Sequence, residues 1–276
     1  MGLCFGTGLR VLWSRVRWRV AGVIAPRRTV SSRGLHFTLQ ADNWITGSRW
    51  SSYNTKEPET LDWIDRWMQN GDVFFDVGAN IGVYALYAAR RHPGARVVAV
   101  EPEYANLHLL RDNVIKNSLQ DRIEVYAMAL SHHTGVSWLH VQDLTPGSAL
   151  HTEAQELLQV TRMQQPIIYR EGVSAITLDE FCRQTRLQPH CIKIDVDGTE
   201  AEILEGGTET LQSPELRSLI IEMPSEAASR SRCEHALLAA GFQSQGPVID
   251  ESRPTNQVWV RVVQAVTHDV QGIGAR

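Results

Sequence analysis

Five times along the chain a short apolar run gives way to a segment of helical periodicity, and this alternation restricts the possible folds more than any other feature. The runs lie at 73–77, 96–100, 123–128, 191–196 and 219–223, and the helical patterns at 81–91, 104–117, 178–186, 199–211 and 230–240. Near-continuous apolar strands are those buried on both faces, which is the situation of a parallel sheet with helices on either side. The spacing therefore predicts an α/β fold built on a doubly wound, mostly parallel sheet. The end of the chain differs, because the run at 258–263 follows Val248-Ile249-Asp250 with no helical pattern between them. The last strand is accordingly expected to run antiparallel.

Before the alternation, Leu35, Phe37 and Leu39 predict a short strand over 34–40, and a helix over 57–70 would turn Leu61, Trp63, Ile64 and Trp67 inward. Three parts follow: a basic leader at 1–33, the strand and leading helix at 34–70, and the main domain at 71–276. The main domain carries an insertion at about 143–171, where Pro146-Gly147-Ser148 marks a turn, 153–163 is helical and Pro166 ends the helix. That insertion reads as a lid or a substrate-facing element.

Charge is distributed unevenly. Residues 1–41 hold seven arginines and no acid, so the formal charge of −4 for the whole chain leaves a body about 11 charges negative. An acidic body argues against bulk affinity for nucleic acid. Arg15, Arg17 and Arg19 interleave with Leu12, Trp13, Val16, Trp18 and Val20. Such a leader suits peripheral contact with an anionic membrane surface, a mitochondrial presequence, or a solvated segment docked on the body. No apolar run reaches the roughly 18 residues that span a bilayer. The four cysteines, Cys4, Cys182, Cys191 and Cys233, form no C-x-x-C pair, and reduced thiols in a cytoplasmic setting are expected.

Residues 76–82, DVGANIG, sit at the joint between the first of the five strands and its helix. In open α/β sheets ligands bind at this carboxyl edge. Gly78 and Gly82 permit tight turning, and Asp76 can accept hydrogen bonds from a bound amine or water. Glu101 ends the next strand, where a carboxylate can accept both hydroxyls of a ribose. A glycine loop followed by an acid could hold a nicotinamide dinucleotide, as in an oxidoreductase, but G-x-G-x-x-G is absent and an acid precedes the first glycine. That favours a cationic ligand without phosphates, and S-adenosylmethionine is one.

A second constellation is CIKIDVDGTE, residues 191–200. Strand alternation puts Cys191, Lys193 and Asp195 on one face, so the lysine and the acid inside a central strand require partners or a ligand. Asp197 or Thr199 can cap the following helix, and Asp197, Glu200 and Glu202 also fit as capping and solubilising acids alone.

In order along the chain, these residues resemble the FkbM-type family of S-adenosylmethionine-dependent methyltransferases. The matching pieces are Glu57-Pro58-Glu59, Gly71-Asp72, Asp76-Val77-Gly78-Ala79-Asn80-Ile81-Gly82, Val100-Glu101-Pro102, Ala129-Leu130-Ser131, Ile176-Thr177-Leu178-Asp179 and the stretch from Ile192 to Glu200. Asp197 and Thr199 stand where the family usually carries Glu and often Ala. The resemblance implies a class I methyltransferase (Rossmann-like) sheet and O-methylation of a hydroxyl on a sugar, glycoconjugate or natural product. It places Asp76, Gly78, Ala79, Asn80 and Gly82 on the methionine side of the cofactor, Glu101 and Pro102 at its ribose, and Ala127, Met128 and Leu130 at its adenine.

Methyl transfer to an alcohol requires alignment and a base. Asp195 is the expected base, tuned by Lys193 and by Glu222 at the tip of the following strand. Asp195 and Glu222 would also supply two oxygen ligands to Mg²⁺, but no third is evident and no metal site is assigned. His132 and His133 fit either acceptor contacts or plain surface positions, and Trp50 and Tyr53 fit either sugar stacking or core packing. Without [ND]-P-P-[YF], nitrogen methylation is disfavoured. A non-catalytic binding module on the same fold is the remaining alternative.

Overall fold

The computed structural model describes residues 27–149, 167–246 and 255–262. Most of the leader, the helix expected at 153–163 and the strand expected at 248–250 lie outside them. In chain order the elements are strands β1 (Arg27–Ser32) and β2 (Leu35–Gln40), helices α1 (Trp44–Ser51) and α2 (Pro58–Trp67), β3 (Val73–Val77), α3 (Val83–Arg91), β4 (Arg96–Val100), α4 (Tyr104–Lys116) and β5 (Ile123–Tyr126). Then come β6 (Ala129–Leu130), β7 (Gly135–Val141), β8 (Tyr169–Ile176), α5 (Leu178–Thr185), β9 (Cys191–Ile194), α6 (Glu200–Glu205) and α7 (Thr208–Gln212). The chain continues through β10 (Ser218–Met223), α8 (Ala227–Ala239), β11 (Phe242–Gln245) and β12 (Thr255–Arg261).

The central sheet has seven strands in the order β11-β12-β10-β9-β3-β4-β5. Strands β10, β9, β3, β4 and β5 pair in parallel. Only β12 opposes its neighbours, pairing antiparallel with both β10 and β11. The fold is thus the α/β, mostly parallel sheet with an antiparallel last strand that the alternation predicts. The partner of that last strand begins earlier than expected, at Phe242, so its pairing follows directly on α8.

Two cores lie on opposite faces. Phe74 belongs to the layer with β2, α2, α3 and α4, while Phe75 and Val77 belong to the layer with α5, α6 and α8. Burial of strand residues on both faces explains why the five runs lack polar alternation. Between the layers, the Trp63 indole donates to Ser218 Oγ at 2.7 Å, and Ser218 Oγ donates to the Trp259 carbonyl at 3.0 Å. A polar chain buried in this way is acceptable because each member is satisfied.

Several elements depart from the sequence reading. Residues 27–32, read as leader, form β1 and pair antiparallel with β2. Arg33 (φ 49°) and Gly34 (φ 81°) make the connection, a two-residue turn with both φ values positive. The Asn-Gly or Asp-Gly signal for such a turn is missing. Arg33 instead reaches Asp62 at 2.6 Å and Asp65 at 2.8 Å on α2, which anchors its backbone. Helix α1 is capped by Asn43, whose side chain accepts from Ile45 and Thr46. A three-stranded sheet, β6-β8-β7, which the sequence reading did not assign, flanks the stretch read as an insertion and enters it only at 169–171. The single helix expected over 199–211 is broken at Gly206-Gly207 into α6 and α7.

Helix α4 carries a row of buried asparagines. Asn113 Oδ1 accepts from Gln40 N at 2.9 Å, while Asn117 accepts from Thr38 N and donates to the Thr38 carbonyl, both at 2.8 Å. These amides do for the free edge of β2 what a neighbouring strand would do.

Backbone meets backbone closely between the tips of β3 and β9. A Cβ on Gly78 (φ 76°) would lie 1.8 Å from the Asp195 carbonyl oxygen, whereas one on Gly34 would meet nothing within 4 Å. Gly34→Ala should therefore cost roughly 1–2 kcal/mol, that of a left-handed alanine with room around it. Gly78→Ala should cost about 4 kcal/mol or more, because backbone must also move. Urea midpoints of the two variants check the difference.

Candidate cofactor site

At the carboxyl end of the sheet the tips of β3, β4 and β9 open around a cavity of about 580 Å³ including its mouth. The chain turns sharply after β3: Gly78 N and Ala79 N both donate to the Val100 carbonyl at 3.0 Å, Asn80 is left-handed (φ 50°), and Gly82 (φ 87°) starts α3. Gly78, Asn80, Glu101 and Pro102 line one side of the cavity. Met128, Ala129 and Leu130 line another, and Asp195, Val196, Asp197 and Thr199 a third.

Glu101 is 5% exposed. Its Oε2 accepts from Asn80 N at 2.8 Å and its Oε1 from Glu103 N at 2.9 Å. Each carboxylate oxygen can accept two hydrogen bonds, so one position per oxygen remains for a ligand. Burial pushes Glu101 up to about 7, against the pull of those two amides. Glu103 in turn caps α4 by accepting from Ala105 N and Asn106 N.

Behind this wall lies a buried charge cluster. Lys193 is 2% exposed, with Nζ 3.0 Å from Asp195 Oδ2, 3.8 Å from Asp76 Oδ1 and 5.3 Å from the Tyr84 ring centre. Burial alone would lower the Lys193 pKa, but Asp195, Asp76 and Glu57 together outweigh it and hold the ammonium above the usual lysine range. Tyr84 donates its hydroxyl to Glu57 Oε2 at 2.6 Å. Glu222 on β10 is pushed up to about 8, chiefly by burial and then by Asp195, Asp197 and Glu200.

The structure brings most of the expected residues together, in roles that differ in detail. Asp76 does not line the cavity; it is 1% exposed beneath the floor, neither carboxylate oxygen has a hydrogen-bond partner, and burial raises it to about 6 despite Lys193. Ala79, Gly82 and Lys193 also stand behind the lining, Ala127 is exposed, and Glu222 belongs to the neighbouring strand tip. Tyr53 is core: its ring packs on Phe37 and its hydroxyl donates to the Val83 carbonyl. Trp50 donates its indole N–H to the Thr29 carbonyl of β1. His132 and His133 face each other, ring centres 4.9 Å apart, away from the lining.

The strap at 143–149 is the start of the stretch read as a lid or substrate-facing insertion, and the contacts that anchor it are what the sequence reading did not assign. Asn106 Oδ1 accepts from Gly147 N at 2.7 Å and its Nδ2 donates to the Ser148 carbonyl, to which Asn80 Nδ2 also donates at 2.7 Å. Asn43 Nδ2 reaches the Pro146 carbonyl and Arg49 Nε the Gly147 carbonyl. Ser148 and Ala149 thereby close one side of the cavity. The available signal was Asn106 on the inward stripe of α4, near Leu109 and Leu110, where a polar residue needs a partner.

The cavity suits a nucleoside bearing a positive charge. Val77, Val100, Met128, Leu130 and Leu139 offer apolar surface for a flat base, Glu101 keeps acceptor capacity for hydroxyls, and Asp195 and Asp197 supply negative charge. Among the described residues no three His, Cys, Asp or Glu side chains are arranged to hold a metal ion, and no helix is long and apolar enough to cross a membrane.

The chain is 30% identical over 176 residues to the 31-O-demethyl-FK506 methyltransferase FkbM of Streptomyces tacrolimicus, a match covering 56% of this chain and 66% of the relative. It is 27% identical to the methyltransferase sdnD of Sordaria araneosa, over 60% of this chain and 72% of that one. Among solved structures, methyltransferase FkbM from Methylobacillus flagellatus KT is distantly alike, at 15% identity and a TM-score of 0.47 over 80% of this chain and 55% of the other. The family model described as "Methyltransferase FkbM domain" matches residues 76–242, more than half of the sequence, and the chain belongs to that methyltransferase family.

Proposed function

We propose that this protein transfers a methyl group from S-adenosylmethionine to a hydroxyl oxygen of a sugar, glycoconjugate or natural-product acceptor. The carrying observation is the Asp195 carboxylate, which lines the cavity, remains 26% exposed and is fixed by a buried ammonium at 3.0 Å. The Streptomyces relative's name, which specifies a 31-O position of FK506, supports oxygen as the acceptor atom.

When bound, the cofactor supplies a methyl already activated on sulfonium, so acceleration depends on what the chain does to the other reactant. Glu101 would hold ribose hydroxyls, and Met128 and Leu130 would flank the base. Asp195 would take the acceptor's hydroxyl proton as the methyl passes from sulfur to that oxygen, and Lys193 holds the carboxylate in orientation. Asp76, beneath the floor, balances Lys193 rather than touching the ligand. Three buried free thiols, Cys182, Cys191 and Cys233, support a cytoplasmic site of action.

S-adenosylhomocysteine at about 100 times its dissociation constant should stabilise the protein by about 2.7 kcal/mol, a melting shift of several degrees. Asp195→Asn should keep that shift while transfer of labelled methyl to a hydroxylated glycan and metabolite extract falls about 10²–10⁴-fold. Full activity in the variant would remove Asp195 from the chemistry.

Proton linkage gives a second test. Glu101 and Glu222, pushed by burial up to about 7 and 8, hold protons near neutrality. A cation in the cavity favours their ionised forms, so binding releases protons, and affinity for S-adenosylmethionine rises as pH climbs from 6 to 8. S-adenosylhomocysteine, without the sulfonium charge, should show a shallower slope, and Glu222→Gln should flatten the upper part. Calorimetry in buffers of different ionisation enthalpy measures the protons released; a flat profile would mean that the acids are already ionised in the free protein.

A further inference from the structure

Four residues on the β9 side of the cavity, Asp195, Val196, Asp197 and Thr199, hang from one turn with an unusual backbone. Asp195 still follows the sheet, with its N–H donating to the Val77 carbonyl at 3.1 Å and its own carbonyl against Gly78. Beyond it the chain reverses through two consecutive positive φ values, 58° at Asp197 and 117° at Gly198. Asp197 is not a glycine, and a left-handed L-residue is retained only where surrounding contacts hold it.

The first residue of α6 supplies contacts on both sides of Asp197. Glu200 Oε1 accepts from Val196 N at 3.2 Å and from Gly198 N at 3.1 Å, so one carboxylate oxygen spans the left-handed residue from both sides. Glu200 is 1% exposed, and its Oε2 is buried with no hydrogen-bond partner. An acid serving only for solubility or surface charge would stand in water. This one is turned back into the protein, at the cost of desolvating a carboxylate.

We infer that Glu200 is the positioning residue of the cofactor cavity: its Oε1 holds the turn from Asp195 to Thr199 in the left-handed shape that sets those side chains against the ligand. The inference rests on the proposed reading of the cavity as the S-adenosylmethionine site. It assigns Glu200 no contact with cofactor or acceptor. What matters is an acceptor oxygen at the reach of a glutamate side chain, so glutamine, with a carbonyl oxygen at the same reach, preserves the function. Aspartate, one methylene shorter, keeps the charge and loses the reach.

The unliganded wild-type, Glu200→Gln and Glu200→Asp proteins are compared by amide hydrogen exchange at Val196 and Gly198, and each is then titrated calorimetrically with S-adenosylhomocysteine. Glu200→Gln should keep protection at both amides and bind within about threefold of wild type. Glu200→Asp should lose protection and bind about tenfold more weakly, as expected when hydrogen bonds to a charged group are lost. The charge-retaining variant would then fail where the charge-removing one succeeds, a ranking that a general need for a stable fold does not produce. The inference is overturned if Glu200→Asp matches wild type in protection and affinity, if it loses protection yet binds normally, or if Glu200→Gln is impaired as severely as Glu200→Asp. A wild type that ignores S-adenosylhomocysteine would reject the cofactor reading itself and the ligand-positioning role with it. Normal wild-type binding with an unaffected aspartate variant rejects the Glu200 assignment alone.

Discussion

A lysine ammonium buried at the carboxyl end of the central strands dictates what surrounds it. Lys193 lies on β9 and pairs across the sheet with Asp76 on β3, while Asp195, two positions further along the chain, supplies the nearer carboxylate. An isolated charge in such a place would be prohibitive, and removing one partner of a buried pair typically costs about 3–5 kcal/mol. The arrangement therefore works as a set. Asp76 at the floor and Asp195 at the cavity both face Lys193, the Tyr84 ring covers it, and Tyr84 is in turn fixed by its hydroxyl bond to Glu57. Glu57 precedes α2, so that helix is tied to the chemical end of the sheet through Tyr84, and again through Asn256 of β12, whose Nδ2 donates to Glu59 Oε1 at 3.1 Å.

Much of this was legible because it is local. The alternation of strand and helix, the acid ending β4 and the Lys193/Asp195 pair on one strand face all follow from periodicity, and the sheet realises each of them. What escaped was settled by contacts between distant segments. The hairpin at Arg27–Gln40 depends on an arginine turn that α2 stabilises from about thirty residues away. The asparagines of α4 looked like ordinary helix residues until β2 and the strap supplied the groups they bond. Asp76 was assigned to the ligand from its place in the loop, but strand alternation already turned it toward the α3 face, where Lys193 stands. The same alternation, applied to β3 as it was to β9, would have put it there.

The glycine loop on its own left a nicotinamide enzyme open. Membership in the methyltransferase family closes that alternative, and the geometry agrees with the closure. The loop spends its free amides on the protein: Gly78 N and Ala79 N bond the Val100 carbonyl, and Asn80 N bonds Glu101. A pyrophosphate needs such amides unengaged at a helix N-terminus. Here those loop amides are occupied, and the polarity left at the cavity is carboxylate rather than N–H, which is the complement of a cation.

The same economy of backbone groups explains why the chain before β3 belongs with the site. Asn43, just before α1, and Arg49 within it bond carbonyls of the 143–149 strap, and that strap is bonded from beneath by Asn80 of the glycine loop and by Asn106 of α4. Displacing the first helix would release two bonds to the strap, and a displaced strap would take the Ser148 carbonyl from Asn80 and leave the buried Asn106 amide without its strap partners. Buried amides so orphaned are costly, each by about 1–3 kcal/mol. The N-terminal hairpin and α1, whose residues do not line the cavity, are thus coupled to its shape through four side chains, and a ligand that requires the strap in place also requires them in place.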